Sequence, residues 1–203
     1  PQSHADFVRL MKEKPDTFKE KIATFDPEKS GVGFLMMTQD AKVFPPFWDL
    51  AKGLGASGAK LYTSTGAMLE KVGSGEHTLA YNIIGSYVLL RQKKDPSMGL
   101  VLPKDYTLAF SRIAFIAKTA RNPNAAKLFL DYLLSKRGQT VMSEKSLVYS
   151  LRSDVPGQVT AAGLNKELGK ALKPIEVNTD ILAGLEQNKR LEFMKQWKDA
   201  LKR

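Results

Sequence analysis

The chain has 203 residues, 43% of them hydrophobic and 26% charged, enough apolar material for one large domain or two small ones and too much for a disordered segment. The longest apolar runs, such as 83–90, are too short to span a bilayer, no signal-peptide series opens the chain, and an export signal is expected only upstream of Pro1. Without cysteine there is no disulfide framework, no thiolate zinc site and no cysteine nucleophile.

The first hundred residues alternate short β-like runs with helix-like ones, the pattern of a parallel sheet with crossover helices. Residues 21–25 are predicted as a strand and 30–39 as the helix that follows. A second helical stretch covers 44–54, with Pro45 and Pro46 tolerated at its start. The next strand is 59–62, after which Ser64 or Thr65 caps a helix running to about residue 72 and ended by Gly73-Ser74-Gly75. A third strand, 79–82, leads into a helix over 85–93, and a fourth, 100–102, stops at Pro103.

Residues 107–118 read as a longer β-like stretch, after which the character turns helical. Asn122-Pro123 opens a helix with Ala126, Phe129, Leu130 and Leu133 on one face, continued over 136–142. A loop over 146–156 precedes helical stretches at 164–172 and 179–201. The boundary falls at 103–107, dividing a βα lobe (1–106) from a crossover and helix-rich part (107–203). The net charge of +10 suggests a nucleic-acid binder. Against this, lysines are spread along the whole chain. The densest run, 189–203, sets Leu191, Phe193, Met194, Trp197 and Leu201 at helical spacing, as a packed helix with a solvated face does. No nucleic-acid partner is expected.

Three predicted strand-to-helix junctions pair a small polar residue with glycine: Ser30-Gly31, Ser64-Thr65-Gly66, and Asn82 with Gly85-Ser86. In an open α/β sheet such junctions meet at the carboxyl edge, the usual ligand crevice. Helix N-termini there offer free N–H groups and the positive end of a dipole, and glycine allows close approach. Such a site suits an anionic or hydroxyl-rich ligand, although each Ser or Thr is also explained as a plain N-cap. Tyr81 and Tyr87 flank the third junction, either as ligand-facing phenols or as packing aromatics.

Gly53-Leu54-Gly55-Ala56-Ser57-Gly58 has the GxGxxG spacing of dinucleotide sites, but it follows a helix and precedes a strand, the reverse of the required context, so a helix end explains it better. His4 and His77 are the only histidines and are expected to be exposed. No paired histidines, nucleophile motif or acid/base pair is recognisable, so neither a metal nor a cofactor nor catalysis is expected.

Several ordered blocks resemble one family. Ile22-Ala23-Thr24-Phe25-Asp26-Pro27 running into Ser30-Gly31-Val32-Gly33-Phe34, then Met68-Leu69-Glu70-Lys71-Val72 with Gly75-Glu76, and Ala80-Tyr81-Asn82 carry the likeness in the first half. Val101-Leu102-Pro103-Lys104-Asp105, Ala114-Phe115-Ile116, the stretch from Asn122 to Ser135, and Gly138-Gln139 carry it in the second. Together they resemble ABC-transporter extracellular solute-binding proteins of the iron(III) type, or family 1-like.

The resemblance implies an α/β, type 2 periplasmic-binding fold of two lobes with parallel-rich sheets flanked by helices. Residues 1–106 then form lobe two, and 107–203 the returning part of a lobe one that lacks its N-terminal segment. It also implies a periplasmic or extracellular, membrane-associated location, an ABC membrane permease as partner, and a monomer. Ferric-binding members carry adjacent tyrosines shortly after the position matching Tyr81, where this chain has Gly85-Ser86. Loss of two hard phenolate ligands disfavours ferric iron, which is kept as the alternative, and the resemblance to receptors for phosphorylated or carboxylated small molecules implies a small organic anion of that kind. The expected ligand contacts are Ser30, Gly31, Val32, Ser64, Thr65, Gly66, Tyr81, Asn82 and Ser86, with Arg112 as counter-charge.

Overall fold

The computed structural model describes residues 1–157, 159–183 and 185–202. Ser3 caps the first helix, α1 (His4–Glu13), its side chain accepting from the Asp6 N–H, and a single turn, α2 (Pro15–Phe18), follows. These elements precede the first one expected from the sequence.

Strand β1 (Ile22–Phe25) is buried at all four positions, as a central parallel strand covered on both faces must be. The chain crosses through α3 (Gly31–Val43) and α4 (Phe47–Ala56) to β2 (Lys60–Tyr62), then through α5 (Thr65–Gly73) to β3 (Leu79–Ala80). Both outer strands are parallel to β1, with Ala23 opposite Lys60 and Ile22 opposite Leu79, so the order is β2-β1-β3. Helix α6 (Gly85–Gln92) follows. A second sheet pairs β4 (Thr107–Ala109) in parallel with the later β5 (Leu172–Pro174). Between them lie α7 (Pro123–Leu134), α8 (Lys136–Ser146), α9 (Ala161–Leu168) and a 3₁₀ turn, Gly169–Ala171. The chain ends in α10 (Thr179–Ala183) and α11 (Gln187–Leu201).

Four expectations are corrected. Residues 100–102 form no strand, and the stretch expected at 107–118 is strand only as far as Ala109. In both places the β-like composition meets no neighbouring strand, and a strand exists only as part of a ladder. The helix expected at 164–172 ends at Leu168 because Gly169 takes φ 51 as its C-cap, and Leu172 begins β5 instead. The helix expected at 179–201 is two helices, with Glu186 at the N-cap of the second. Gly184, which that expectation also covered, lies outside the described residues, as do Gln158 and Arg203.

The core is built where helix periodicity turns one face inward. Phe47, Leu50, Ala51 and Leu54 of α4, at spacings of three, four and seven, are all at most 1% exposed. Helix α11 returns from the far end of the chain to cover them. Trp197 is 2% exposed, its ring stacks at 6.4 Å from Phe47, and Phe193 lies 5.3 Å from Trp48. Thus α11, grouped with 107–203 on sequence, packs on the 1–106 part. Two glycines allow the close approaches. A Cβ on Gly33 would stand 2.5 Å from the Phe25 Cβ, and one on Gly55 would stand 2.7 Å from the Ala200 carbonyl oxygen. The opposite extreme is α7, which contributes no buried residue.

Candidate functional site

Because β1, β2 and β3 are parallel, their carboxyl ends lie on one edge of the sheet, and the strand order reverses direction about β1 there. The Ser30 side chain accepts from the Gly33 N–H at 3.1 Å and that of Ser64 from the Ala67 N–H at 3.3 Å. Each cap satisfies the third residue of its helix, while the main-chain carbonyls of Ser30 and Ser64 accept from Phe34 and Met68. This leaves the N–H groups of the first two helical residues, Gly31 and Val32 in α3 and Thr65 and Gly66 in α5, directed out of the helix ends. At the third junction Ile84 is the N-cap of α6 without a side-chain bond, and Gly85 and Ser86 hold the corresponding positions.

The second and third junctions are tied together: the Ile84 N–H donates to the Thr65 hydroxyl at 3.3 Å. Gly31 is exposed, with no atom within 4 Å of where its Cβ would be, whereas Ser30, Thr65 and Ser86 are buried. The Ser30 and Thr65 oxygens are therefore already engaged, and the outward chemistry of these junctions is main-chain N–H. Arg112, on the irregular stretch after β4, places its guanidinium 5.7 Å from the centroid of the Tyr87 ring in the first turn of α6.

Beneath the third junction lies a buried polar cluster that the sequence reading did not assemble. Asp40, in the last turns of α3, is 1% exposed and accepts from the Tyr81 hydroxyl and the Asn82 amide at 2.7 Å and from the Tyr106 hydroxyl at 2.9 Å. Burial pushes its carboxyl pKa up, against the lowering effect of these bonds. Burial likewise drives the Tyr81 phenol far above its ordinary value, helped by the neighbouring Asp40 charge, and Tyr106 shifts the same way for the same reasons. Asn82 adopts φ 64, a left-handed turn that aims its amide at Asp40.

Both histidines expected at the surface are buried, a correction with a common cause: each finds polar partners inside. His4 stacks on Tyr106 with ring centroids 3.9 Å apart and bonds the Asp105 carboxylate through Nδ1 at 2.9 Å. Asp105 also accepts from the His4 N–H at 2.8 Å. Partial burial pushes that carboxyl up, but the His4 bonds win and hold it below its usual range. His77 donates from Nδ1 to the Glu20 carbonyl, which leaves Nε2 to accept from the Tyr62 hydroxyl at 2.7 Å.

The bacterial extracellular solute-binding protein family matches residues 14–182. The chain belongs to that family. Its fold matches the crystal structure of the substrate binding protein of the ABC transporter from Agrobacterium tumefaciens with a TM-score of 0.93 and 37% identity. That match covers the whole of this chain but 60% of the other, so the chain spans well under two thirds of the relative's length. No curated protein sequence matches.

The glycines of the GxGxxG spacing lie apart from the three junctions. Gly53 and Gly55 are inside α4, facing Met11 and α11, and Gly58 takes φ 67 just beyond the helix end. No group of three or more His, Asp or Glu side chains suited to a metal occurs among the described residues, and no described helix is long and apolar enough to cross a membrane. The Asp40 cluster was missed because its members are separated by 41 and 66 positions along the chain. Only the tyrosine at the end of β3 gave any hint of it.

Proposed function

We propose that the protein of which this chain spans a part is the solute-binding component of an ABC importer, and that it captures a small phosphorylated or carboxylated organic anion in a cleft between two lobes. Residues 1–106 are the ligand-facing lobe, the chain crosses over near 103–107, and the partner is a membrane permease reached from the periplasm by a monomer. The observation that supports this reading is the parallel sheet whose strands all lead, at one edge, to the starts of α3, α5 and α6, where the first two N–H groups of each helix have no helical acceptor. Arg112 stands beside the third of these helices.

The donors are Gly31, Val32, Thr65, Gly66, Gly85 and Ser86, with Ser30 and Ser64 holding the helix ends in place. Asn82 and Tyr81 then act as supports, since both are bound to Asp40. The ferric alternative is weakened by the same bond: a phenol pushed far above its ordinary pKa and committed to a carboxylate is a poor source of a hard phenolate ligand.

Native mass spectrometry of the full-length protein, purified without added ligand, tests the reading: an organic anion bound at unit stoichiometry is expected. Gly31→Val should weaken binding of that anion at least about tenfold in a calorimetric titration without loss of folding, since a side chain there meets open space. A bound ferric ion, with a visible phenolate band removed by Tyr81→Phe, would overturn the proposal in favour of iron.

A further inference from the structure

Two segments to which the proposed function gives separate tasks meet on one carboxylate. The Asp40 Oδ2 accepts from the Tyr81 hydroxyl and the Asn82 amide, both at 2.7 Å, at the turn that leads into α6. The other oxygen, Oδ1, accepts from the Tyr106 hydroxyl at 2.9 Å, one residue before β4 begins. A hydroxyl has one proton to donate, so Tyr106 acts on the 82–86 turn through Asp40 rather than by donating to it.

Both ends of this link are fixed by their surroundings. The Tyr106 ring is 4% exposed and stacks on His4 at 3.9 Å, and Asp105 beside it accepts from the His4 main-chain N–H at 2.8 Å. The Thr107 hydroxyl donates back to the Pro103 carbonyl at 2.9 Å, which closes 103–107 into a turn. At the other end, the φ of 64 at Asn82 is sustained by the bond to Asp40. Two residues on, the Ile84 N–H donates to the Thr65 hydroxyl of the second junction at 3.3 Å. The two oxygens of Asp40 belong to one planar group, so a shift of Tyr106 that turns Oδ1 also turns Oδ2 beneath Asn82. A buried carboxylate that loses one of its donors is left under-satisfied in a medium of low dielectric, and its remaining bonds change with it.

We propose that Asp40 and Tyr106 are positioning residues for the third junction. Through this one carboxylate the crossover at 103–107 sets the Asn82 turn, and with it the N–H groups of Gly85 and Ser86, so that movement of the crossover when the lobes close reaches the ligand edge. The proposal rests on the reading of the junctions as the ligand edge and of 103–107 as the crossover.

NMR-detected hydrogen exchange on the full-length protein tests the coupling without any ligand. Rates are read relative to the Ser57 amide at the end of α4, so that a general loss of stability does not count. Tyr106→Phe should speed exchange of the Ile84 amide on the order of fivefold and shift its signal. Asn82→Gly, which keeps the left-handed turn, should do the same to the His4 amide on the other side. In urea unfolding the double variant should cost less than the sum of the single ones, since both act on one shared network. Unchanged exchange at Ile84 in Tyr106→Phe, or strictly additive costs, overturns the proposal. Titration with inorganic phosphate, followed at the Gly85 and Ser86 amides, separates this coupling from the ligand reading. Tyr106→Phe should need at least about fivefold more phosphate than wild type for the same shift, and equal titrations overturn the proposal. If phosphate moves neither protein's signals while exchange at Ile84 still responds to Tyr106→Phe, the coupling stands and the anion reading of the junction falls.

Discussion

Asp40 shows what a single residue contributes when it is the shared acceptor of three donors. Asp40→Ala leaves the Tyr81 and Tyr106 hydroxyls and the Asn82 amide without their partner and should cost about 2–4 kcal/mol in urea unfolding, because each orphaned buried group carries its own desolvation penalty. Asp40→Asn keeps one carbonyl oxygen for two of the donors and should cost less than half as much. The raised carboxyl pKa fixes the sign with pH. The folded protein favours the neutral form, so this contribution is present below the ordinary carboxyl pKa and is lost as pH rises through the folded value. Wild type should therefore gain stability relative to Asp40→Asn on going from neutral to mildly acidic buffer; a constant difference would mean the carboxyl does not titrate differently on folding. The two glycines of the first junction separate packing from binding in the same way. Gly33→Ala should destabilise by about 1–3 kcal/mol because its Cβ meets Phe25, whereas Gly31→Ala should leave the midpoint unchanged.

Among the elements, α11 closes the core from the far end of the chain. Its buried face, Met194, Trp197 and Ala200, closes over α4, and the aromatic rings of Phe47, Trp48, Phe193 and Trp197 stack at the contact. Trp197→Ala should cost about 3–5 kcal/mol by thermal or chemical unfolding, the usual penalty for emptying a large buried aromatic site. Helix α7 is the contrast. Leu128 and Phe129 are 71% and 59% exposed, so Leu128→Asp and Phe129→Asp should each change the stability of this chain by less than about 0.5 kcal/mol. They should also reduce any self-association seen by sedimentation, since exposed apolar surface of this kind promotes it.

Taken whole, the molecule has one well-filled region, formed by residues 7–108 with 193–201, and a thinner one between them that buries few side chains. The chain matches 60% of the Agrobacterium binding protein, and its thinner region leaves apolar side chains such as Ile113, Phe115 and Leu128 exposed. Mixed with ferric citrate, the full-length protein should show no visible phenolate-to-iron band, because Tyr81 is bound to Asp40 and Tyr87 lies under Arg112. A strong band would favour the ferric alternative.

The sequence by itself determined the alternation of strands and helices from residue 21 to residue 92, the capping serine at 30, a cap at 64 or 65, and the placement of three glycine-bearing junctions on one sheet edge. These rest on local chemistry: a cap reaches three residues ahead, and parallel strands with helical crossovers leave one arrangement of their carboxyl ends. Only the tertiary structure decided the rest. Whether 100–102 and 110–118 become strands depends on a neighbour to pair with, whether His4 and His77 are buried depends on partners far away in sequence, and α11 was free to cover either half of the chain until α4 offered the complementary face. Nothing local marks Asp40 in the sequence, because the three donors that meet it come from Tyr81, Asn82 and Tyr106, 41 to 66 positions away.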